Sequence, residues 1–534
     1  MNQNLRYITI LGVCLFSTNL SKAKLINATP TNYEGFLTAL TAGDTLKLAS
    51  GIYTSNLTLN GINGTNTKPI VILGTGNSTN FQGQSCCNTV SITQCSYVVI
   101  KKFQLDGLNL AIDAVKAEGT TGNWAHHITL EYLNIINYGS SQQNVGISTK
   151  CPAWNWLIRK NKIIGAGTGM YLGNSDGTKP FLNGIIEYNY VANTIGYNIE
   201  IKHQINGQRE LMPETSVNGK TILRHNVFTK DESSSTGASA RPNLLVGGFP
   251  TVGYGEVDYY EIYGNFFYNN PVEALFQGTG NIMLYNNIFV NHFDPSGYRA
   301  VYITPQNGVS PQDIKIFHNT IWAANSGGGI RLYTPNTTYK QYCYGNAVFA
   351  ASAITNFTDT IYNITGTYSG ATNFVNSATI DLSTLNLYPK NGLLTGAVTP
   401  INLFTYYTDW FKDFNQDSYS WIYRGAYSGN GMNKGWKLQL DTMSTPAILG
   451  SFHSALNKND FEISPNPVLT KLSIVKNNFI PSQIEIINPN GVIIYSSTLN
   501  SSESQIDFTD KPNGVYFITI KNESQSVVKK IIKY

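Results

Sequence analysis

Glu200, Lys202 and His203 form the densest polar group on a strand that recurs through the chain, in which only 13% of the residues are charged. Glu200 and Lys202 are two positions apart, so on a β-strand both would project from the same face. A lysine can act as a general base when neighbouring cations lower its pKa, and carboxylate oxygens bind calcium. The pattern therefore suits β-elimination from a uronic-acid polymer, which needs a base and a cation to neutralise the carboxylate beside the abstracted proton.

Residues near Glu200 and Lys202 are expected to provide the other groups that β-elimination needs. We expect Lys202 to be the base, Arg241 to be a cation that lowers its pKa, and Ca²⁺ to bind Glu200. Asn198 or Asp176 would add oxygen ligands to the calcium site. The alternative is that Glu200 and Lys202 are a surface ion pair that merely neutralise each other.

Two repeating patterns must position these residues, and the first is built on asparagine. It places an asparagine after a run of β-branched and aromatic residues and returns at intervals of about thirty residues, which indicates a solenoid. The asparagines are Asn161, Asn189, Asn226, Asn265, Asn287, Asn319 and Asn346, and two earlier copies have Phe103 and Leu133 instead. Equivalent side chains of a parallel β-helix stack about 4.8 Å apart, so we expect an amide ladder that satisfies the backbone of a turn. His225 and His318 precede ladder asparagines, and we expect them to pack at that turn.

The second pattern is a strand that recurs in six coils, at residues 169–174, 198–203, 243–248, 273–278, 300–305 and 329–334. Alternation predicts one inward and one outward set of side chains. The outward set is Tyr171, Glu200, Lys202, Leu245, Gly247, Leu275, Gln277, Tyr302, Thr304, Arg331 and Tyr333. An open ribbon of this kind suits an extended polymer, and exposed tyrosines suit sugar rings. We therefore expect Tyr171, His203, Tyr302, Arg331 and Tyr333 to bind substrate.

The segments on either side of the repeats carry motifs in a fixed order. An amphipathic helix is predicted at residues 33–40, and strand-like motifs follow at 43–48, 51–53 and 68–72. This order resembles the N-terminal cap of the pectate-lyase-like superfamily of right-handed parallel β-helix proteins, in which a helix plugs the open end. Residues 396–445 are aromatic and non-repeating, and they look like the closing segment of such proteins. The expected fold is all-β: a right-handed parallel β-helix across residues 24–445, with an N-terminal capping helix.

The Glu-x-Lys strand carries a second resemblance. Together with the Leu-Arg-His run at 223–225, it resembles the polysaccharide lyase family that holds alginate lyases and chondroitinase B. In that family a lysine base, an arginine and calcium-binding carboxylates share one sheet face, and the resemblance implies the same roles here. The chain departs from the family in its shorter carboxylate-to-lysine spacing and in Arg224, which belongs to an asparagine-ladder strand. Leu245 and Gly247 fill the outward positions of the next coil, so no arginine matches the family residue by residue, and we take Arg241 as the substitute.

Both ends of the chain carry export signals. Residues 1–23 have the basic start, apolar run and small-residue cleavage site of a secretory signal peptide. After a polar linker at 446–460, short alternating strands around Asn-Gly turns predict a small β-sandwich at 461–534. Its motifs resemble the type A sorting domain of type IX secretion, which implies export across the outer membrane by that machinery. An ordinary carbohydrate-binding sandwich is the alternative.

Composition and charge narrow the classes of protein to which this chain can belong. A formal charge of +4 without a basic block before the C-terminus does not indicate nucleic-acid binding, and after the signal peptide no stretch reaches the ~20 apolar residues of a transmembrane segment. Five of the six cysteines follow residue 23, so at most two disulfides can form, and Cys343 is expected in the core. We expect a monomer that acts on an acidic polysaccharide as a lyase. A glycoside hydrolase, which needs more outward carboxylates than Glu200, and a non-catalytic glycan-binding surface protein are the alternatives.

Overall fold

The computed structural model describes residues 23–212, 218–295, 297–444, 461–476, 482–488, 493–499, 503–521 and 526–534. The predicted linker at 446–460, and the predicted signal peptide apart from Ala23, lie outside the described residues. Contacts divide the chain into two compact units, Met1–Ser444 and Thr445–Tyr534. The first unit holds both repeating patterns.

The first unit winds into stacked coils, and two series of strands flank the ladder asparagines in one 25-stranded parallel sheet. The series before the asparagine comprises Leu25–Ala28, Thr45–Leu48, Ile70–Gln82, Cys95–Asp106, Ala125–Glu131, Leu157–Arg159, Ile185–Glu187, Lys220–Arg224, Tyr259–Tyr263, Ile282–Tyr285, Ile314–Phe317, Gln341–Tyr344 and Asp359–Ile361. The series after it comprises Gly51–Tyr53, Asn134–Ile136, Lys162–Ile164, Tyr190–Ala192, Val227–Thr229, Phe266–Tyr268, Ile288–Asn291, Thr320–Ala323, Ala347–Phe349 and Ile364–Gly366. The two long strands at 70–82 and 95–106 run through both series.

A third series forms a separate 11-stranded parallel sheet, which we call the ribbon sheet. Its strands are Leu57–Asn60, Val90–Thr93, Val115–Ala117, Val145–Thr149, Thr168–Leu172, Ile199–Ile201, Leu244–Val246, Phe276–Gly278, Val301–Ile303, Ile330–Leu332 and Ile354–Thr355. Three strands per coil, each paired in parallel with the coils above and below, make a parallel β-helix, which confirms the predicted architecture.

Few other elements occur in the described part of the first unit. Its helices are Glu34–Leu37 and the 3₁₀ turns Arg209–Leu211, Gly237–Ser239, Ser369–Asn373 and Ile401–Leu403. Its remaining strands are Ala153–Trp154, Phe181–Leu182 and the antiparallel pair Val375–Ser377 and Asn386–Pro389.

The second unit is a small antiparallel sandwich. One sheet has the strand order Phe461–Ser464, Lys471–Lys476, Glu503–Asp507, and the other has the order Ile493–Leu499, Ser482–Ile487, Gly514–Lys521, Ser526–Lys533. Leu472, Ile486 and Ile518, from both sheets, share one buried core. This confirms the predicted C-terminal β-sandwich.

The asparagines form the predicted ladder. Asn226 is buried, and its Oδ1 accepts hydrogen bonds from the backbone N–H and the Nδ2 of Asn189 at 3.0 and 2.9 Å. Its own Nδ2 donates to the Ile186 carbonyl at 2.9 Å and to Asn265 Oδ1 at 2.9 Å. The same bonds repeat along the whole predicted series. Each amide therefore closes backbone hydrogen bonds that the turn leaves open.

The ladder extends one coil beyond the prediction. Asn346 donates through its backbone N–H and Nδ2 to Asn363 Oδ1 at 2.9 and 3.0 Å. Asn363 follows Asn346 by 17 residues. This interval is shorter than the others, which is why the repeat pattern did not include it. Cys343 is fully buried in the core, as predicted.

In the later coils, apolar side chains cover both faces of the first two series. Ile262 and Leu284 point into the β-helix core, while Tyr263 and Tyr285 point outward and pack with Phe404. Residues 401–444, which we call the flanking segment, supply the outer partners of both series. The strands from Lys220–Arg224 to Ala347–Phe349 are thus buried almost throughout, which explains their nearly continuous hydrophobic runs, whereas earlier strands such as Thr45–Leu48 and Lys162–Ile164 include exposed residues.

The flanking segment runs along the side of the coils. Phe404 stacks on Phe317 with ring centroids 4.0 Å apart, and Asp441 lies 2.8 Å from Lys162 Nζ, several coils earlier. The sequence predicted that residues 396–445 close the end of the solenoid. They instead cover its outer faces, and the ribbon sheet is the series that they leave uncovered.

Two further local predictions need correction. The N-terminal helix covers only Glu34–Leu37, because the Thr41 N–H donates to Asp44 Oδ2 at 2.9 Å and turns the chain into the next strand. Leu275 is buried, although alternation predicts an outward side chain. The N–H groups of Leu275 and Phe276 both donate to the Ala300 carbonyl, at 3.1 and 3.0 Å. The extra residue interrupts the alternation at this coil.

The ladder makes a testable prediction about stability. Replacing Asn226 by alanine removes the acceptor for two Asn189 donors and the donor to the Ile186 carbonyl, all inside the protein. We expect Asn226→Ala to lower the free energy of unfolding by about 2 kcal/mol or more, since buried polar groups lose their partners. Urea denaturation followed by circular dichroism measures the loss. Asn60→Ala, at an exposed position of the ribbon sheet, is the control and should change stability by less than about 0.5 kcal/mol.

Candidate functional site

The outward side chains of the ribbon sheet form one continuous row. Strand register places Lys116, Ser148, Tyr171 and Glu200 at successive positions. The row continues through Leu245, Gln277, Tyr302, Arg331 and Thr355. The strand register therefore places four residues on one face, as alternation predicted: Tyr171, Glu200, Tyr302 and Arg331.

A groove of about 530 Å³ opens over the early part of this row. Loops from neighbouring coils form its walls, and the small, fully buried Ser148 lies between Lys116 and Tyr171 along the row. Its charged lining residues are the cations Lys116, Lys150, Lys202 and Arg241 and the carboxylates Asp113 and Glu200. With four cations and two carboxylates, the lining carries a formal excess of two positive charges. Such a groove attracts anionic ligands.

Glu200 and Lys202 form a close ion pair at the floor of the groove. The Lys202 Nζ donates to Glu200 Oε1 at 2.7 Å, and both side chains are largely buried. Burial alone would lower the pKa of Lys202, but the Glu200 carboxylate outweighs it and raises that pKa. Burial raises the pKa of Glu200, while Lys202, Lys150 and Arg241 oppose the shift. Lys202 therefore carries a proton throughout the neutral range.

Lys150 differs from Lys202 in having no carboxylate hydrogen-bonded to its amine in the described structure. Its Nζ lies 3.5 Å from the centroid of the Tyr171 ring, which fixes the position of the amine. Burial lowers the pKa of Lys150 to about 8, and Lys116 and Lys202 add to this shift, whereas Asp113 and Glu200 oppose it. At pH 7 about a tenth of the Lys150 side chains are then neutral, against fewer than about one in a thousand for an ordinary lysine.

Arg241 lies at the rim of the groove and is held there by the chain around it. Its Nη1 donates to the carbonyls of Ala238 and Ala240 at 3.1 and 2.6 Å, and its guanidinium lies 5.8 Å from the Tyr197 ring. The fully buried Lys230 donates its Nζ to the Arg241 carbonyl at 2.6 Å. Lys230 thus anchors the backbone that presents Arg241, although it does not itself line the groove.

The structure brings together four of the residues that the sequence singled out. Tyr171, Glu200, Lys202 and Arg241 all line the groove. The described lining does not include Asn198, Asp176 or His203. Asn198 is buried and donates to Thr194 Oγ1 at 3.2 Å, Asp176 is exposed and accepts from Thr178, and His203 lies against Gly177 and Gly247.

The other predicted binding residues lie further along the same face. Tyr302 is three coils from Glu200 in the row, which corresponds to ~14 Å at the usual strand spacing. The Tyr302 and Tyr333 rings are 6.1 Å apart, and the Arg331 guanidinium is 5.4 Å from the Tyr333 ring. They form a separate aromatic and cationic group beyond the groove.

The side chains around Glu200 do not fit a calcium ion. The nearest polar neighbour of its Oε1 is an ammonium group at 2.7 Å, and Lys150 and Arg241 line the same groove. Calcium takes six to eight oxygen ligands, and cationic neighbours repel it. Across the described chain, no group of three or more His, Cys, Asp or Glu side chains is placed to hold a metal ion.

Sequence reasoning missed Lys116, Lys150 and Asp113. The repeating ribbon strand also occurs in the coils before residue 169, and the two nearest copies are Val115–Ala117 and Val145–Thr149. Extending the alternation to these strands would have placed Lys116 and Lys150 on the outward face. Asp113 had no such signal, because it lies in a turn and reaches the groove by accepting a hydrogen bond from the Val145 N–H at 2.9 Å.

The two ladder-phase histidines pack at turns, as expected. His225 stacks on Tyr188 at 5.0 Å and His318 stacks on Tyr419 at 4.1 Å. Burial lowers the pKa of His225 to about 3 and also lowers that of His318. Both rings are therefore neutral at physiological pH.

Residues 462–534 match the family described as the secretion system C-terminal sorting domain. The second unit is thus a type IX sorting domain, which directs the chain through the secretion machinery to the cell surface or the extracellular space. Among the described residues, no helix is long and apolar enough to cross a membrane. No curated protein matches the sequence.

Solved structures similar to the chain include several lyases. They include an alginate lyase from Paenibacillus sp. str. FPU-7 (18% identity, 58% of this chain and 96% of that chain, TM-score 0.41). Pectate lyase Pel9A shares 13% identity over 77% of this chain and 97% of its own, with a TM-score of 0.45. The polysaccharide lyase Pedsa3628 from Pseudopedobacter saltans, of the PL6 family, shares 12% identity over 69% and 97%, with a TM-score of 0.36. At these identities and TM-scores, the similarity establishes no activity or substrate for this chain.

The sorting domain leads to a prediction about export. Deleting residues 461–534 should leave the β-helix folded, because the two units have separate cores, but should keep the protein inside the outer membrane. Immunoblots of periplasm and medium from a host with type IX secretion measure the distribution. The full chain is the control, and a truncated chain that reaches the medium at the same level would contradict the prediction.

Proposed function

We propose that this protein is a secreted polysaccharide lyase that cleaves a uronic-acid-containing polymer by β-elimination. The observation that carries the proposal is Lys150, a half-buried lysine with a pKa of about 8 in a groove with an excess of positive charge. A base that is partly neutral at pH 7, next to permanent cations, is what abstraction of a proton beside a carboxylate requires.

The groove residues divide the chemistry among them. The guanidinium of Arg241 binds the uronate carboxylate and stabilises the negative charge that develops on it, and Lys116 adds positive charge further along the groove. The neutral Lys150 amine takes the proton from the carbon next to the carboxylate. The electron pair forms a carbon–carbon double bond and expels the glycosidic oxygen. Tyr171, whose pKa is raised by burial and by Glu200, donates its phenolic proton to that oxygen.

Lys202 serves better as a charge than as a base. Its Nζ lies 2.7 Å from Glu200 Oε1, and this carboxylate keeps the amine in its charged form. A protonated lysine at the floor of the groove attracts the polymer, while Glu200 limits the local charge. We therefore assign Lys202 to binding and transfer the base role, which the sequence suggested for Lys202, to Lys150.

The rest of the ribbon sheet extends the site. A polymer that leaves the groove along the row meets Tyr302, Arg331 and Tyr333, which offer aromatic faces and a further cation. Aromatic rings pack against sugar rings, and the cation suits another uronate. This arrangement supports an extended acidic chain as the substrate.

A glycoside hydrolase is the second candidate, because the groove holds two carboxyl groups. Burial raises the pKa values of both Asp113 and Glu200, as a general acid requires. However, Lys202 binds Glu200 at 2.7 Å and Lys116 lies 3.7 Å from Asp113. Product chemistry separates the candidates: a lyase makes an ultraviolet-absorbing double bond, a hydrolase makes reducing ends without one, and a glycan-binding protein makes neither.

The first functional prediction concerns the identity of the base. On whichever of alginate, pectate, chondroitin and heparin is cleaved, we expect Lys150→Arg to lower kcat about 10²-fold or more. Arginine keeps the positive charge, so KM should change little, but it stays protonated and cannot accept the proton. The rate of double-bond formation measures both constants.

Lys202→Arg is the matched control for Lys150→Arg. It keeps the charge and the partner of Glu200, so it should retain kcat within about threefold, as expected for a residue outside the proton transfer. A Lys150→Arg enzyme with the parent kcat, or a Lys202→Arg enzyme that loses it, would return the base role to Lys202.

The second functional prediction concerns pH. Because Lys150 must be neutral to accept a proton, activity should be low below its pKa and rise with pH through about 8. An ordinary lysine base would place this rise more than about two pH units higher. The profile of kcat/KM against pH gives the midpoint, and activity that falls as pH increases from 7 to 8 is incompatible with the assignment.

A further inference from the structure

Two adjacent cysteines are exposed at the surface. Cys86 and Cys87 have Sγ atoms 2.9 Å apart, and both side chains are accessible. Cys95, Cys151 and Cys343 are buried in the β-helix. The exposed pair is therefore open to reagents that do not reach the other three thiols.

The pair lies next to the groove. It belongs to the turn between the strands Ile70–Gln82 and Val90–Thr93, and the Cys86 carbonyl accepts a hydrogen bond from Asn56 Nδ2 at 3.3 Å. The following residue, Asn88, lines the groove and donates to Glu118 Oε1 at 2.7 Å. A covalent change at the cysteines thus occurs one residue from the groove wall.

We propose that Cys86 and Cys87 form a vicinal disulfide in the exported protein. The sorting domain marks a chain whose destination lies outside the reducing cytoplasm, and exposed thiols in direct contact oxidise readily there. The inference rests on the sorting domain and on the sulfur contact, and it is independent of the lyase chemistry.

The reaction is thiol–disulfide exchange with an oxidised protein or small-molecule disulfide. One cysteine thiolate attacks a sulfur of that disulfide, forms a mixed disulfide and releases one thiol. The second cysteine then attacks the mixed disulfide, closes the ring and releases the second thiol. The two cysteine protons pass to the two thiols released, and the oxidant gains the two electrons that the cysteines lose.

This disulfide is more easily reduced than an ordinary structural one. Adjacent Cα atoms are about 3.8 Å apart, below the range of roughly 4.4 to 6.8 Å that unstrained disulfides occupy. Strained, exposed disulfides are the labile ones. The hydrogen bond and the charge that Cys87 shares with Cys86, together with the nearby Glu118, raise the pKa of Cys87, so oxidation should accelerate as pH rises.

Alkylation of the secreted protein tests the proposal. Protein collected from the medium is denatured and treated with N-ethylmaleimide, with and without prior reduction by dithiothreitol. We expect Cys86 and Cys87 to be alkylated only after reduction, while Cys95, Cys151 and Cys343 are alkylated in both samples. Without reduction, the peptide that holds Cys86 and Cys87 should be lighter by two hydrogen masses and carry no second peptide.

The single variants Cys86→Ser and Cys87→Ser are the matched controls. Each keeps an exposed side chain of similar size and should leave one thiol that is alkylated without reduction. Alkylation of both cysteines in the parent before reduction overturns the proposal, and so does a bond from either one to another cysteine. Equilibration in glutathione buffers tests the strain: a bond that survives in mostly reduced glutathione contradicts it.

Discussion

The interaction on which the rest of the molecule depends is the asparagine ladder. Each amide accepts two hydrogen bonds from the coil before it and donates into the coils on either side, so it fixes the register of one coil on the next. A slip of one residue in any strand would turn its side chains to the opposite face. The alignment of Tyr171 and Glu200 on the ribbon sheet therefore depends on ladder asparagines that lie 10 and 11 residues earlier in the same coils, Asn161 and Asn189.

Local pattern was enough to predict the fold and the floor of the groove. Repeats of about thirty residues indicated the coils, and alternation placed Tyr171, Glu200 and Tyr302 on one face. The predictions failed where residues distant in sequence decide the outcome. The lowered pKa of Lys150 depends on burial by loops from several coils. The position of the Asp113 carboxylate depends on a hydrogen bond that it accepts from the next coil. Periodicity carries no information about either.

The groove concentrates positive charge in a protein that has few charged residues overall. Elsewhere in the β-helix, opposite charges alternate: Arg159 lies between Glu131 and Glu187, which also pairs with Arg224. In the groove the cations outnumber the carboxylates, and burial makes the imbalance effective because water screens it less. The same burial that favours a neutral Lys150 strengthens the attraction of Arg241 for an anion. One physical condition thus serves both proton transfer and binding.

The flanking segment has a consequence for how this β-helix can change in length. A simple solenoid gains or loses coils freely, since each coil contacts only its neighbours. Here Phe404 stacks on Phe317 and Asp441 forms an ion pair with Lys162. The flanking segment therefore spans many coils, and its length must match their number. Removing a coil would leave the flanking segment ~4.8 Å too long, and adding a coil would leave it ~4.8 Å too short. Insertions within loops avoid this penalty, because they leave the number of coils unchanged.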